Sequence, residues 1–280
     1  MLPGSASYLK CLRCSGDINH SFGATECRVC GHRVLREGGA LIFKEGAIAR
    51  DEDTSLTLWI KDFLKKQPRL FFLLYYTLGV FVGKSAKTAI KDLSEGAIIF
   101  NIASGIKIIR SDVINIDIEP YPNVSIVGDA TRLPLKDGIA DAVICEASLE
   151  HFLEPEKAVQ EMWRILKPGG RLYASVPFIV GFHASPHDYY RWTEAGVREL
   201  FSEFHPAEIG VGWGPTYALT SILREWLALV LSFNVGFLHQ VLVLFFTVIF
   251  APLNFLDYLF ARFKLSKNIA FGFYFIGTKK

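Results

Sequence analysis

The 280-residue sequence carries almost no net charge: 30 Lys and Arg stand against 28 Asp and Glu, leaving +2. That removes the overall electrostatic footprint of a nucleic-acid binder. No apolar h-region opens the chain, so no secretory signal is expected and thiols should stay reduced. Cysteine nearly vanishes after residue 30; only Cys145 follows Cys11, Cys14, Cys27 and Cys30. Internal repeats and low-complexity tracts are missing. Asp, Glu, Lys and Arg are missing altogether from residues 226–256. What is present excludes a disordered chain, since 51% of residues are hydrophobic and 14% aromatic. The length suits one full domain and a small accessory one.

The four early cysteines form two C-x2-C pairs twelve residues apart. Each pair can place two thiolates on a tetrahedron, and Zn2+ accepts four. Residues 1–45 therefore read as a zinc ribbon, with structural zinc standing in for a core too small to form. Such a module can dock a protein partner. Cys145 falls inside an apolar run and reads as an inert buried thiol. Residues 46–94 read as a helical, membrane-proximal segment. Lys61, Lys65, Lys66 and Arg69 precede the uncharged run Leu70–Gly83, and Lys84, Lys87 and Lys91 follow it.

From residue 97 short apolar runs alternate with helical or turn segments. Strands are expected at 97–102, 113–118, 124–127, 141–146, 171–177 and 205–210, with a last one in 269–277. A helix is expected over 155–166, opened by Pro155 and closed by Lys167-Pro168-Gly169-Gly170. This alternation predicts an α/β domain over 95–280 with a parallel sheet between helices.

Four segments in order carry a resemblance: AIIFNIASG (97–105), VINIDIEPYPNVSIVGDATRLPL (113–135), DAVICEASLEHF (141–152) and EMWRILKPGGRLYASVPF (161–178). Together they resemble the class I S-adenosylmethionine-dependent methyltransferases, in particular those acting on small molecules and lipids. The resemblance implies a doubly wound, seven-stranded Rossmann-like sheet. It also implies a cofactor bound beyond the strands' carboxyl ends. By position in the family, Asn101, Ala103 and Gly105 form the cofactor loop. Asp117, followed by Ile118, would accept both ribose hydroxyls. Asp129 and Ala130 would meet the adenine, and Glu146 the methionine end. Asp117 also reads as a strand-end turn residue, and Asp129 as an N-cap. The sequence departs from the family at Asn101, where an acid is usual, and at Ala103 and Lys107, where glycine is. Twelve positions separate Gly105 from Asp117, which leaves little room for the usual helix.

Methyl transfer needs positioning and, for oxygen or nitrogen acceptors, a base. His187, oriented by Asp188, is the first choice, with His151 as a second. His183, Tyr189, Tyr190 and Arg191 are candidates for substrate contact, and Arg191 alternatively pairs with Asp188. His183 and His187 alone make an incomplete metal ligand set. The tyrosines read equally well as loop packing.

The uncharged run 226–256 lies within an apolar helical insertion at about 214–266. It interrupts the sheet before its last strand, so the chain crosses a bilayer twice or not at all. Asn234, His239 and Gln240 divide it into pieces too short to span. A two-helix hairpin dipping into one leaflet fits, with an oligomer interface or a cap over the sheet as the alternative. The expected protein is a cytoplasmic-face, monotopic or peripheral methyltransferase acting on a membrane lipid, a lipid-linked or another small molecule. It would use S-adenosylmethionine. The alternative is a non-catalytic, membrane-anchored adaptor that keeps the fold.

Overall fold

The computed structural model describes residues 8–21, 24–43, 67, 79–183 and 187–280. Most of the segment 46–94, including its first basic cluster and the run from Leu70 to residue 78, lies outside them.

Two short hairpins open the chain. Strands β1 (Ile18–Ser21) and β2 (Ala24–Cys27) pair antiparallel, as do β3 (Leu35–Glu37) and β4 (Ala40–Ile42). A one-turn helix α1 (Ala86–Ala89) follows, capped by the Ser85 hydroxyl. Then come β5 (Ile99–Ile102), β6 (Ile114–Asp117), β7 (Ile126–Val127) and β8 (Ala140–Glu146). Helix α2 (Pro155–Ile165) has Pro155 in its first turn and buries Ala158, Val159, Met162 and Ile165. That three-to-four spacing is one helix face. Strand β9 (Leu166–Pro177), helix α3 (Glu194–Leu200) and strand β10 (Phe204–Trp213) complete the alternation. Helices α4 (Pro215–Leu231), α5 (Gly236–Phe250) and α6 (Asp257–Phe260) then intervene before β11 (Gly272–Lys279).

The main sheet has nine strands in the order β10-β11-β9-β8-β5-β6-β7-β4-β3. Strands β9, β8, β5, β6, β7 and β4 run parallel, and β11 is antiparallel to both neighbours. The residues of β5 and β6 are all buried, as parallel strands covered on both faces require. Seven of the nine strands are those expected from the sequence. The other two come from the N-terminal unit, which is continuous with the sheet rather than set apart from it. Strand β7 is two residues long, and β4 covers its open edge, pairing Leu41 with Ile126 and Ile42 with Val127. Tyr8, Leu9, Cys11, Val34 and Leu41 belong to the same buried cluster as Phe100, Leu133 and Leu135. The amide of Lys10 donates to Pro134 and that of Lys136 to Tyr8, while Lys136 also pairs with Asp17 at 2.6 Å.

The connection from β5 to β6 contains no helix. Arg110 takes up part of that role. It pairs with Asp112 and donates to the carbonyls of Ile90 and Leu93, tying the bare loop to the segment behind α1.

Helices α4 and α5 form a hairpin turned at Phe233 and Asn234, both with positive φ. No residue of α5 is buried. The base of the hairpin is pinned by polar contacts. Asp257, wholly buried, accepts from the amides of Thr216 and Tyr217 at 2.8 and 2.9 Å and so caps α4. Gly214 is required there, because a Cβ would fall 2.3 Å from the Asp257 carboxyl carbon. Thr220 donates to Asn254 at 2.7 Å.

Candidate active site

In a doubly wound sheet the ligand crevice opens where neighbouring crossovers diverge, here beside β5, between β6 and β8. The loop leaving β5 turns through Ala103 and Gly105, both in the left-handed region at φ 52° and 53°. Glycine adopts that conformation freely; alanine there costs about 1 kcal/mol. Nothing lies within 4 Å of the position a Gly105 Cβ would take, so the space above it is open.

Asp117 ends β6 and faces this loop. One carboxylate oxygen accepts the Gly105 amide at 2.7 Å and the other the Glu119 amide at 2.9 Å. Burial raises its pKa above the ordinary carboxylate value, and these amide hydrogen bonds partly oppose the rise. Each oxygen retains a second lone pair for an incoming hydroxyl. Asn101 is buried within the sheet. Its amide donates to Asn115, Asn115 donates to the Asn123 carbonyl, and Asn123 donates back to the carbonyls of Gly105 and Lys107. This amide chain holds the loop where the family has an acid and a helix. Ile118 is half-buried, and Ala130 is buried beside Asp129. Asp129 is exposed and its Oδ1 accepts from the Thr131 amide and hydroxyl, both at 2.8 Å. The turn-capping role is thus filled by one oxygen. Glu146, at the end of β8, pairs with Lys107 at 2.7 Å. The residue that replaces a family glycine therefore reaches the carboxylate expected to meet the cofactor's methionine end.

The turn after β8 is tied to the cofactor loop by Ser148, whose hydroxyl lies 3.3 Å from the Ala103 carbonyl. Glu150 and His151 follow in a single 3-10 turn. Glu150 is 1% exposed. His151 Nδ1 contacts the His187 carbonyl, and the Tyr189 amide donates to the Glu150 carbonyl at 2.8 Å, so the later loop lies on this turn. His151 and His183 meet edge to face at 5.3 Å. Burial pushes the His151 pKa down. For His183 burial acts in the same sense, but Glu150 and the Gly181 carbonyl outweigh it and the value rises.

The remaining sequence candidates divide between surface and loop framework. The guanidinium of Arg191 grips both oxygens of Asp188 and the carbonyls of Val180, Gly181 and Tyr190. Asp188 also accepts the His183 amide. Its carboxylate and Arg191 thus hold the loop. Tyr190 donates to the Leu153 carbonyl and stacks on Trp192. Tyr189 is 44% exposed and His187 stands beside it, ring centroids 5.5 Å apart. Glu150 escaped the sequence reading because an acid beside a histidine in a turn resembles any solvated pair; only its burial marks it.

The four cysteines converge at the far edge. Sγ separations are 3.7 Å for Cys11–Cys30 and 3.4 Å for Cys14–Cys27, and all four lie within 4.8 Å of one another. Two thiolates on one zinc stand about 3.8 Å apart for bonds near 2.3 Å at the tetrahedral angle. The amides of Arg13 and Val29 point at Cys11 and Cys27 sulfurs, 3.4 Å away in each case. Backbone amides of Cys30 and Val29 draw the Cys27 thiol down to about 6. The donor set fits a tetrahedral soft cation. Cys145, by contrast, is wholly buried and its thiol pKa is pushed up by burial.

Residues 101–174 match the family described as a methyltransferase domain. Over that quarter of the chain, the match and the strand order agree with the methyltransferase-type sheet expected from the sequence. Demethylmenaquinone methyltransferase of Paenarthrobacter aurescens is 51% identical over 47 residues, covering 17% of this chain and 19% of that protein. The ubiquinone/menaquinone biosynthesis C-methyltransferase of Escherichia fergusonii is 35% identical over 92 residues, 32% of this chain and 33% of that one. Among solved structures, phosphoethanolamine N-methyltransferase 2 of Haemonchus contortus is similar at 16% identity and a TM-score of 0.46. That alignment covers 78% of this chain and 59% of that one. The chain thus matches about a fifth to a third of the length of these curated relatives.

Proposed function

We propose that the protein transfers a methyl group from S-adenosylmethionine to a lipid-like small molecule at a membrane surface. The carrying observation is Asp117, held by two backbone amides at the carboxyl end of β6 and facing open space over Gly105. An ionised carboxylate there can accept both hydroxyls of a ribose, and Ala103–Gly105 lets backbone approach the rest of the nucleoside. When bound, the sulfonium supplies an electrophilic methyl carbon. The protein's part is to position the acceptor and accept its proton. His151 and His183, beside Glu150 at the carboxyl ends of β8 and β9, are better placed for that than His187, whose carbonyl orients His151.

Two features support the membrane. One is α5 with its continuation, Gly236–Phe260, 25 residues whose most apolar 18-residue stretch has a mean hydropathy of 2.0. The other is the hairpin tip, where Phe233 is 86% exposed and Phe237 68%. By length and composition Gly236–Phe260 could span a hydrocarbon core of about 30 Å, but β11 rejoins the sheet after it, which excludes a single crossing. A hairpin lying in one leaflet suits that topology, and the quinone-methylating relatives suit a lipid-soluble acceptor. The four cysteines suit a structural zinc ion that locks the N-terminal unit against the sheet edge, where it can also receive a protein partner.

The Lys107–Glu146 pair favours a second reading, an adaptor whose cofactor space is closed by its own side chains. Calorimetric titration with S-adenosylmethionine in detergent separates the two. We expect binding that weakens by roughly 10- to 100-fold in Asp117→Ala, the value of one to two charge-assisted hydrogen bonds. No heat of binding to the native protein would leave the adaptor.

A further inference from the structure

Beside the cofactor crevice, Glu150, His151 and His183 form a compact cluster of side chains that can ligate a cation. Their ligand atoms all lie within 4.8 Å of one another. Glu150 is 1% exposed, and its Oε2 has no hydrogen-bond partner among the described residues. Its Oε1 lies 3.9 Å from His151 Nε2 and 3.7 Å from His183 Nε2, too far for hydrogen bonds.

The other nitrogen of each ring is occupied. His151 Nδ1 touches the His187 carbonyl, and His183 Nδ1 lies 3.1 Å from the Gly181 carbonyl. A carbonyl can only accept, so each Nδ1 carries the proton. The contact of His183 Nδ1 with Arg191 Nη2 is longer, at 3.3 Å. Both Nε2 lone pairs are then left facing a buried carboxylate. With both imidazoles neutral, three acceptors converge with no donor between them, an arrangement that either a proton on one Nε2 or a bound cation relieves. Carbonyl-held Nδ1–H groups are also the usual outer support of metal-binding imidazoles.

We propose that Glu150, His151 and His183 bind a divalent transition-metal ion of the zinc class, distinct from the four-cysteine cluster. Two ligands on zinc stand about 3.3–3.6 Å apart for bonds of 2.0–2.2 Å, so the two separations from Glu150, 3.9 and 3.7 Å, need only a few tenths of an ångström of contraction. Two nitrogens and one oxygen leave one position open, the arrangement of a catalytic rather than a structural site. An oxygen of the acceptor can fill that position, where the cation lowers a hydroxyl's pKa; with the ion bound, His151 and His183 are its ligands and not the base. Only this last assignment rests on the methyl-transfer reading; the ion's presence does not.

The test is metal content of the full-length protein in detergent. Samples are equilibrated with Zn2+ and freed of excess, then measured for the native chain, His183→Ala and Glu150→Gln. A parallel set is loaded with Co2+ to read thiolate charge-transfer absorption from the cysteine cluster. His183 is 42% exposed on its side chain, and Glu150→Gln keeps its shape, so the fold should survive in at least one variant. The expected result is one metal equivalent fewer in each folded variant, with the thiolate absorption unchanged. Equal metal content in the native chain and a folded variant would overturn the proposal. A native chain that holds the extra equivalent yet binds no S-adenosylmethionine would support the metal site and count against methyl transfer alone.

Discussion

Asp117 must be ionised to serve ribose hydroxyls, yet it lies buried at the end of β6. Burial raises its pKa, and the amides of Glu119 and Gly105 return only part of that cost. Such a carboxyl holds its proton more tightly folded than unfolded. Ionisation therefore erodes stability as pH rises from the ordinary carboxylate value, 3.8, through the raised one. Ribose binding needs the ionised form, so S-adenosylmethionine affinity should increase with pH over the same window and level off above it. Calorimetry at a series of pH values checks this; an affinity that falls with rising pH there contradicts the assignment. On the proposed reading, Lys107 competes with the cofactor for Glu146 from the other side of the loop. Exposed and half-exposed ion pairs contribute about 0–1 kcal/mol, so Lys107→Ala should tighten S-adenosylmethionine binding by up to about fivefold. Weaker binding in this variant would mean that Lys107 is a cofactor ligand.

At the scale of elements, the α4–α5 hairpin is a projecting apolar unit on a polar hinge. Its tip carries Phe233 and its base is capped by Asp257. Phe233→Asp should sharply reduce co-flotation with anionic phospholipid vesicles while leaving the melting temperature in detergent near that of the native chain. Asp257→Ala should do the reverse in part, lowering thermal stability by about 1–2 kcal/mol through the lost cap. If Phe233→Asp floats as well as the native protein and instead changes its sedimentation, the hairpin is an oligomer interface. Most strands and α2 were legible in the sequence to within a few residues, because each keeps one local period: continuous apolar runs for β5 and β8, a three-to-four spacing for α2; β9 begins five residues early, through the Lys167–Gly170 stretch expected only to close the helix. The hairpin's length was equally legible in its missing charges. Its base was not, since Asp257 meets Thr216 and Tyr217 about forty positions away.

For the whole molecule, the N-terminal unit and the main sheet share one core. Leu9 and Leu41 are fully buried in it, and each contributes about 1.5–3 kcal/mol. If the four-cysteine cluster holds zinc as proposed, chelating that ion should release the packing. We expect a loss of about 3 kcal/mol or more, equivalent to roughly 10 °C, in a single calorimetric transition rather than two. A chelated protein whose sheet melts unchanged would show that the unit is independent.

The divide between chain and fold follows from distance along the sequence. The order of strands, the paired cysteines, Asp117 at a strand end and the uncharged insertion are local patterns, and sequence alone determined them. Three matters were decided only in three dimensions. The two-residue β7 left an edge that β4 filled, joining the N-terminal unit to the sheet. A bare loop replaced a helix and was held by the Asn101–Asn115–Asn123 chain. Glu150 met His183 across 33 positions, because two loops leave neighbouring parallel strands at the same end. Periodicity reports which face of an element is buried. It carries no information about which remote partner a buried polar group will find, and that partner decides the chemistry.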